Sequence, residues 1–556
     1  MHVLLVHPRS PKTFWSFDAA LALVGRRVLL PPLGLITVAA LLPAHWHLRL
    51  VDTQIREVSE EDWRWADLVI ISAMIVHKRD LARQVALAKR HGLPVAVGGP
   101  FATSTPGAPE LVAADFLILG EGEISIPPFV EAIEAGRSFG VFTADGQKPD
   151  VRTSPLPRFD LLQMEAYEMM AVQFSRGCPF QCEFCDIIVL YGRTPRTKTP
   201  PQLIAELEAL NRLGWRGDVF LVDDNFIGNR RNVRLLLPAL LEWQRRHDFP
   251  FAFTTEASLD LAADEPLMNA MTACRFRRVF LGIETPDEHS LAGAGKHQNM
   301  RSPLVESVGT IRAHGLQVMA GFILGFDGES PGAGERIVEF VTRTGIPLAM
   351  VGVLQALPGT ALWQRLQREG RLLQADERFD EGVQTHLLNF VPTRPIEDIG
   401  AEFIAAFRQL YEPHVYLERA YRTCLGLGAP SWPQHRRPLA FLRRRPRWRP
   451  ARLRGLLILC WRQGVRRPTR WRFWHHLAAI ALRRPALLPD YLWMLLLEEH
   501  FLEYAGLVQQ QVTAQLACVR EGQPQPASGR CVASPATTSD ASEAASDDLV
   551  STAGSR

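Results

Sequence analysis

The 556-residue sequence predicts an α/β architecture in three parts: an N-terminal parallel-sheet domain, a partial βα barrel of six units, and an α-helical C-terminal extension. Three observations carry this reading. Short apolar runs alternate with amphipathic stretches over the first 125 residues, the alternation returns at Ala171 for six more runs, and strand-like runs stop after about Asp376. At roughly 100 to 200 residues per domain, the length suits about three such units. With 47% hydrophobic and 22% charged residues the chain can bury ordinary cores, which excludes wholesale disorder.

In the first domain the strands are read at Val3–Val6, Leu48–Val51, Leu68–Ile71, Val95–Val97 and Phe116–Leu119, with helical stretches such as Lys78–His91 between them. Turn residues follow: His7-Pro8, Asp52, Gly98-Gly99-Pro100 and Gly120-Glu121-Gly122-Glu123. Ligands of open α/β sheets sit at the carboxyl ends of strands, so this domain is a candidate holder of a flat or phosphate-bearing ligand; ordinary turn punctuation is the alternative. Residues 126–170 lose periodicity and read as a connector. From Ala171 the strands are read at Val172–Phe174, Asp218–Val222, Phe251–Thr254, Val279–Gly282, Val318–Leu324 and Ala349–Leu354. Helices fall between them, for example over Pro201–Leu213 and Arg231–Arg245, which predicts a TIM-type (βα)6 barrel rather than one of eight units. Residues 396–425 read as one helix and the segment beyond as several short ones. The Ser/Ala/Thr/Pro-rich stretch from Glu521 reads as a disordered tail. The expected domains are 1–145, a linker 146–170, the barrel 171–375, a helical domain 376–520 and the tail 521–556.

The 62 basic and 59 acidic residues are segregated. Between Arg436 and Arg484 stand sixteen Arg and no Asp or Glu, which leaves 46 basic against 59 acidic groups elsewhere, a balance of −13. Residues 441–475 interleave these arginines with Trp448, Trp461, Trp471, Phe473 and Trp474. Cations and indoles on amphipathic helices suit a membrane interface; a packed cap with a solvated Arg face and a nucleic-acid surface are the alternatives. The run Val28–Ala44 is uncharged but contains three prolines and is shorter than the about 20 residues of a spanning helix, so no transmembrane segment is expected. The opening Met1–Val6 lacks a signal peptide's pattern, and eight cysteines are too few for a disulfide scaffold; a reducing, cytoplasmic setting follows.

Cys178, Cys182 and Cys185 stand in C-x3-C-x2-C spacing directly after a predicted strand. Three thiolates this close converge only around a common ion or cluster. Zinc would want a fourth ligand nearby, and none follows within thirty residues, whereas a [4Fe-4S] cluster held by three thiolates keeps one iron open to a small molecule. Cysteines 274, 424, 460, 518 and 531 have no such spacing and read as buried, inert thiols. Other barrel-strand ends carry carboxylates: Asp223-Asp224-Asn225-Phe226 after the second, Glu256 after the third and Glu284 after the fourth. Solvated strand ends are their bland reading.

The segments Arg176-Gly-Cys-Pro-Phe180, Cys185-Asp-Ile-Ile188, Asp223-Asp-Asn-Phe-Ile-Gly-Asn229, Gly282-Ile-Glu-Thr-Pro286 and Leu357-Pro-Gly-Thr360 resemble the cobalamin-binding radical S-adenosylmethionine (SAM) superfamily. Pro31-Pro-Leu-Gly-Leu35, Gly98-Gly-Pro100 and Gly120-Glu-Gly-Glu123 are similar to its Rossmann-like B12-binding domain, and the nearest branch is the one containing the hopanoid C-2 methylase. The resemblance implies a [4Fe-4S] cluster on Cys178, Cys182 and Cys185. It implies SAM contacts from Asp223, Asp224, Asn225, Glu256 and Glu284, and cobalamin contacts from Gly34, Gly98, Gly99, Gly120 and Glu121. No residue is assigned a catalytic role. The Asp-x-His-x-x-Gly of many B12 domains is missing after the first strand, so cobalamin is expected without a protein imidazole beneath the cobalt; His77 reads as a surface-loop histidine.

What the resemblance implies functionally is radical C-methylation of an unactivated carbon of a polycyclic lipid, with SAM-derived radical chemistry and methyl transfer from cobalamin. The alternatives are a tetrapyrrole enzyme with the same cofactors, an oxidative cyclase or side-chain methylase, and a non-catalytic cobalamin or redox sensor. The implied partners are the lipid or other polycyclic substrate, an electron donor such as flavodoxin or ferredoxin, and a peripheral inner-membrane surface. No stable nucleic-acid partner is expected.

Overall fold

The computed structural model describes residues 1–373, 384–429 and 450–520. The expected tail, Trp448 and the arginines from 436 to 449 lie outside the described residues.

Six parallel strands build the first sheet: β1 (His2–His7), β2 (His47–Asp52), β3 (Leu68–Ser72), β4 (Val95–Gly98), β5 (Phe116–Leu119) and β6 (Gly140–Thr143), in the order β2-β1-β3-β4-β5-β6. The order reverses between β1 and β3, which opens a crevice above their carboxyl ends. Apolar side chains cover both faces, Val6, Val69 and Val97 on one and Leu5, Ile70 and Phe116 on the other, as a sheet buried on both sides demands. The connector reading fails at its start. Residues 122–134 form a helix despite Pro127 and Pro128, and β6 pairs in parallel with β5. The periodicity was masked because β6 is a four-residue edge strand with an exposed outer side. Beyond it, 146–169 holds short 3-10 turns and a β-bridge from Tyr167 to Val28.

The second sheet is built from β7 (Met170–Val172), then, after a two-residue hairpin of β8 (Ser175–Arg176) and β9 (Arg196–Thr197), β10 (Gly217–Leu221), β11 (Phe251–Ala257), β12 (Phe276–Glu284), β13 (Gln317–Leu324) and β14 (Leu348–Val353). Its six long strands are parallel and lie in chain order, β7 to β14, with the helices Pro200–Arg212, Arg230–Arg246, Leu304–Ala313 and Ala333–Thr344 between them. This is the expected half-open six-unit arrangement.

The helical extension comprises Ile396–Leu410, Pro413–Gly426, Pro450–Trp461, Arg470–Arg483 and Leu488–Arg520. The single helix expected over 396–425 is two, broken at Tyr411 and Glu412. Pro413 lacks the N–H an interior turn needs and occupies the first turn of the second helix, capped by the Glu412 side chain. Cys274 and Cys424 are buried and free, but Cys518 is held in a disulfide, which corrects the reading of it as an inert thiol. No described helix is long and apolar enough to cross a membrane.

A loop of the first domain fastens these parts. Phe14 is fully buried, stacked on Phe501 at 4.8 Å between ring centres and ringed by Tyr411, Tyr504 and Phe407 within 6.3 Å. Its neighbour Trp15 reaches barrel strands, edge-on to Phe280 at 5.5 Å, with its Nε1–H directed at the Met350 sulfur 3.0 Å away. Phe14→Ala would leave a cavity where three parts of the chain meet, and is expected to cost about 3–5 kcal/mol in denaturant unfolding.

Candidate active site

The three cysteines lie on the loop that follows β8. It starts at Gly177, whose φ of +96° and the 2.8 Å separation between a built Cβ and the Gly192 carbonyl oxygen admit only glycine. Its entry is anchored by Asp223, which accepts from Phe174 N (2.8 Å), Ser175 N (2.9 Å) and Ser175 Oγ (2.7 Å), and by Asp224, which accepts from Gly177 N (2.7 Å). Further along, Glu183 N donates to Ala294 O (3.0 Å), Leu362 N donates to Glu183 O (2.8 Å) and Arg365 pairs with the Glu183 carboxylate (2.9 Å). Cys182 is buried, Cys178 and Cys185 half-buried. Burial, and then the neighbouring negative groups including the other two thiols, push Cys185 up to about 12; Cys178 is raised for the same reasons. Among the described residues no three His, Cys, Asp or Glu side chains close around a single ion. The thiolates of a [4Fe-4S] cluster each take a different iron and need no such closure, so a trio on one anchored loop fits that group.

Carboxylates crowd the barrel mouth beside this loop. Glu256 ends β11 and is raised to about 8, by burial first and then by Asp224 and Asp223. Burial also lifts Asp224 to about 6 and Asp223 to about 7. Such a group of mutually repelling acids suits a cationic ligand, as the ammonium and sulfonium of SAM would be. Of the residues expected to meet SAM, Asp223 has both oxygens engaged by the β7–β8 turn and serves as a loop anchor. Asn225, buried, hydrogen-bonds Ser258 (3.0 Å) and Cys178. Glu284 sits past a register shift in β12, at φ +67°, and forms an ion pair with Lys296; Asn299 props that strained turn through Gly282 O (3.0 Å) and Ile283 O (3.1 Å).

In the first domain Gly98, Gly99 and Gly120 stand at the carboxyl ends of β4 and β5. Gly99 (φ +94°) and Gly120 (φ +81°) leave no room for a Cβ, which would meet Ser72 Oγ at 2.8 Å and Ala144 Cβ at 2.9 Å; Gly34 faces open space. At both crowded positions glycine is required by the neighbouring strand ends, which keeps these turns compact at the edge where an open α/β sheet takes a large flat ligand such as cobalamin. Glu121 is employed differently from its expected ligand role. Its carboxylate bridges Arg176 (2.9 Å) and Arg196 (2.8 Å), while Glu123 takes the other side of Arg176 (2.8 Å). All four side chains are at most 14% exposed. His77 is no surface-loop histidine: it is 2% exposed, lies edge-on to His7 at 4.8 Å, and accepts from Met74 N at Nδ1 (3.1 Å). Burial lowers His77 to about 3 and His7 to about 4, which keeps both neutral.

Sequence reasoning missed Arg176, Arg196, Glu123, Lys296 and Gln298 as site residues. Arg176 and Glu123 lie inside motifs that were read for other purposes, and their opposite charges were the available signal. Nothing local marks Lys296 or Gln298.

Family profiles match three stretches: a B12 binding domain over 22–129, the radical SAM superfamily over 172–341, and a domain of unknown function, DUF4070, over 360–514. An uncharacterized methyltransferase of Synechocystis sp. is 56% identical over 516 residues, 93% of this chain and 94% of the relative. The hopanoid C-2 methylase of Rhodopseudomonas palustris is 37% identical over 498 residues, 87% of this chain and 89% of the relative. Among solved structures, the radical SAM methyltransferase TsrM from Kitasatospora setae with cobalamin and [4Fe-4S] cluster bound superposes with TM-score 0.56 at 16% identity, covering 77% of this chain and 96% of that one. The cobalamin-dependent SAM radical enzyme OxsB with aqua-cobalamin bound gives TM-score 0.56 at 13% identity, covering 94% of this chain and 81% of that one. These two likenesses concern the fold.

A protonation signature tests the acidic mouth. With its carboxyl raised to about 8, Glu256 is mostly protonated at pH 7 in the free protein. A cation set against it favours the ionised form, so SAM binding at pH 7 should release a proton, and the release should fade above about pH 8 where Glu256 is already charged. Calorimetric titration in buffers of different ionisation enthalpy reads this directly, and Glu256→Gln should lower that release, leaving only what Asp223 and Asp224 contribute.

Proposed function

The chain belongs to the cobalamin-dependent radical SAM methyltransferases, and from that premise we propose that it methylates an unactivated carbon of a polycyclic lipid, working at the cytoplasmic face of the inner membrane. Its cofactors are a [4Fe-4S] cluster, SAM and cobalamin, and like other radical SAM enzymes it needs an electron donor and a substrate. When bound, the cluster and SAM supply hydrogen-atom abstraction from carbon, and cobalamin supplies the methyl group. An sp3 C–H has no usable acidity for a protein base, so the side chains bind, orient and exclude water rather than move the substrate's proton. In this reading Cys178, Cys182 and Cys185 hold the cluster, Glu256 and Asp224 receive the cationic end of SAM, and Asn225 and Glu284 flank it. Gly98, Gly99 and Gly120, at the strand ends, together with Gly34 would border the corrin.

The surface of the C-terminal helices carries the lipid reading. On Pro450–Trp461 the exposed Leu453, Leu457 and Trp461 recur every fourth residue and share one outward row, with the exposed Arg452 and Arg454 on its two shoulders. On Arg470–Arg483 the row is Trp471, Trp474 and Leu482, with Arg470 on one shoulder and Arg472 and Arg483 on the other; Trp471 is 75% and Leu482 83% exposed. Phe473, His476 and Ile480 take the inward side. Part of the basic segment behaves as the packed cap: Arg462 and Arg467 pair with Glu498 and Glu499. Arg454, Arg466, Arg470, Arg472 and Arg483 make no ion pair among the described residues. Apolar rows pointing outward between cations suit the boundary of an anionic bilayer, where a polycyclic lipid resides. The relative named for hopanoid C-2 methylation, alike over nearly its whole length, supports the same substrate class.

The lipid profile of cells with and without the protein tests the substrate. A polycyclic lipid heavier by one methylene should appear only in the cells that have it; an unchanged lipid profile contradicts the reading. Docking is tested by sedimentation with vesicles. Each Arg near an anionic surface is worth about 1 kcal/mol, so replacing four of the unpaired arginines by Glu should lower partition to anionic vesicles at least about a thousandfold at low salt. Equal sedimentation with neutral and anionic vesicles at every salt concentration contradicts it.

A further inference from the structure

Residues 294–298 run along the cysteine loop. Besides the bond from Glu183 N to Ala294 O, a Cβ built on Gly295 (φ +69°) would stand 3.0 Å from Gln181 O, so the two backbones nearly touch. Two side chains of this segment turn to the loop. Gln298 Nε2 stands 3.5 Å from the Cys182 sulfur. Lys296 Nζ stands 5.8 Å from the ring centre of Phe184, the residue just before Cys185. The lysine is 8% exposed and lies over Gly282, where a Cβ would stand 2.7 Å from its nitrogen. Lysine is almost never buried this deeply unpaired, and its partner here is Glu284. Burial works against its charge, but the Glu284 carboxylate paired with it raises its pKa, so the ammonium persists.

We propose that Lys296, with Gln298 beside it, is the positioning group that favours the reduced state of the [4Fe-4S] cluster on Cys178, Cys182 and Cys185. This rests on the cluster assignment above and is independent of the lipid reading. The step is a single electron transfer: a low-potential donor of the flavodoxin or ferredoxin class is oxidised by one electron and the cluster gains one negative charge. No bond forms or breaks and no proton moves. In a site of low effective dielectric a fixed ammonium stabilises that added charge far more than it would in water. An amide N–H aimed at a cluster sulfur acts in the same direction. Glu284 offsets part of the field, and the ammonium is the end of the pair set over Phe184.

The test is a redox titration of the anaerobically reconstituted full-length protein, with dithionite as reductant and the EPR signal of the reduced cluster as readout, after iron and sulfide analysis has shown equal loading. At a potential poised near the wild-type midpoint, Lys296→Met should lower the ratio of reduced to oxidised cluster about tenfold, with a correspondingly more negative midpoint, whereas Lys296→Arg should stay near wild type. Should the Met variant fail to load, Lys296→Gln is titrated in its place. A fully loaded neutral variant with the wild-type midpoint overturns the proposal. The same midpoint together with weakened SAM binding also overturns it, and assigns the lysine to SAM instead. The vesicle and lipid measurements do not bear on this outcome.

Discussion

Two arginines face each other across the two-stranded β8–β9 sheet. Arg176 and Arg196 are register partners in the two-residue β8–β9 hairpin, an arrangement that like charges disfavour. Glu121 and Glu123, from the turn after β5 of the other domain, resolve the conflict: Glu121 bridges both guanidiniums and Glu123 takes the other side of Arg176. Burial opposes the charge on Glu123, yet Arg176 and the Ser154 hydroxyl hold it below the usual carboxylate range. A buried pair of this kind adds little net stability when intact, but stripping one partner leaves an uncompensated charge and costs about 3–5 kcal/mol. The hairpin that opens the cysteine loop can therefore be made well only when the first domain is docked. The clamp ties the turn after β5, at the carboxyl end of the first sheet, to the loop that carries the three cysteines.

The rest of the site follows from that fixed loop. Once Arg176 is placed, Gly177 can donate to Asp224 and Ser175 to Asp223, which brings the end of β10 under the cysteines. Charges then alternate across the mouth. Acids gather at Glu256, Asp224 and Asp223, and the one lysine of segment 294–298 pairs with Glu284. Phe14 and Trp15 act at the other end, joining the first domain to both the barrel and the long C-terminal helix. One ionic and one aromatic contact thus stand among those that dock the first domain.

Periodicity exposed all eleven strands that are buried and regular, because Val, Ile, Leu and Phe runs in parallel sheets announce themselves locally. It missed β6, an edge strand exposed on its outer side, and the break at Pro413, where the amphipathic pattern continues across two helices. At the site, cysteine spacing and carboxylates at strand ends were legible because they are short-range patterns. The roles of Glu121 and Asp223 were not, since each depends on a partner 48 to 75 residues away in sequence. His77 looked like a surface residue because nothing in its own segment shows that His7 packs on it. Lys296 was invisible for the same reason.

The clamp is the claim on which this account turns, and hydrogen–deuterium exchange reads it without any cofactor. Glu121→Gln with Glu123→Gln changes only the first domain, yet protection should fall across residues 174–197 of the barrel, by tenfold or more if about 1.4 kcal/mol or more of local stability is lost. Exchange that rises around residues 118–124 alone, with the cysteine loop as protected as in the unaltered protein, would contradict it.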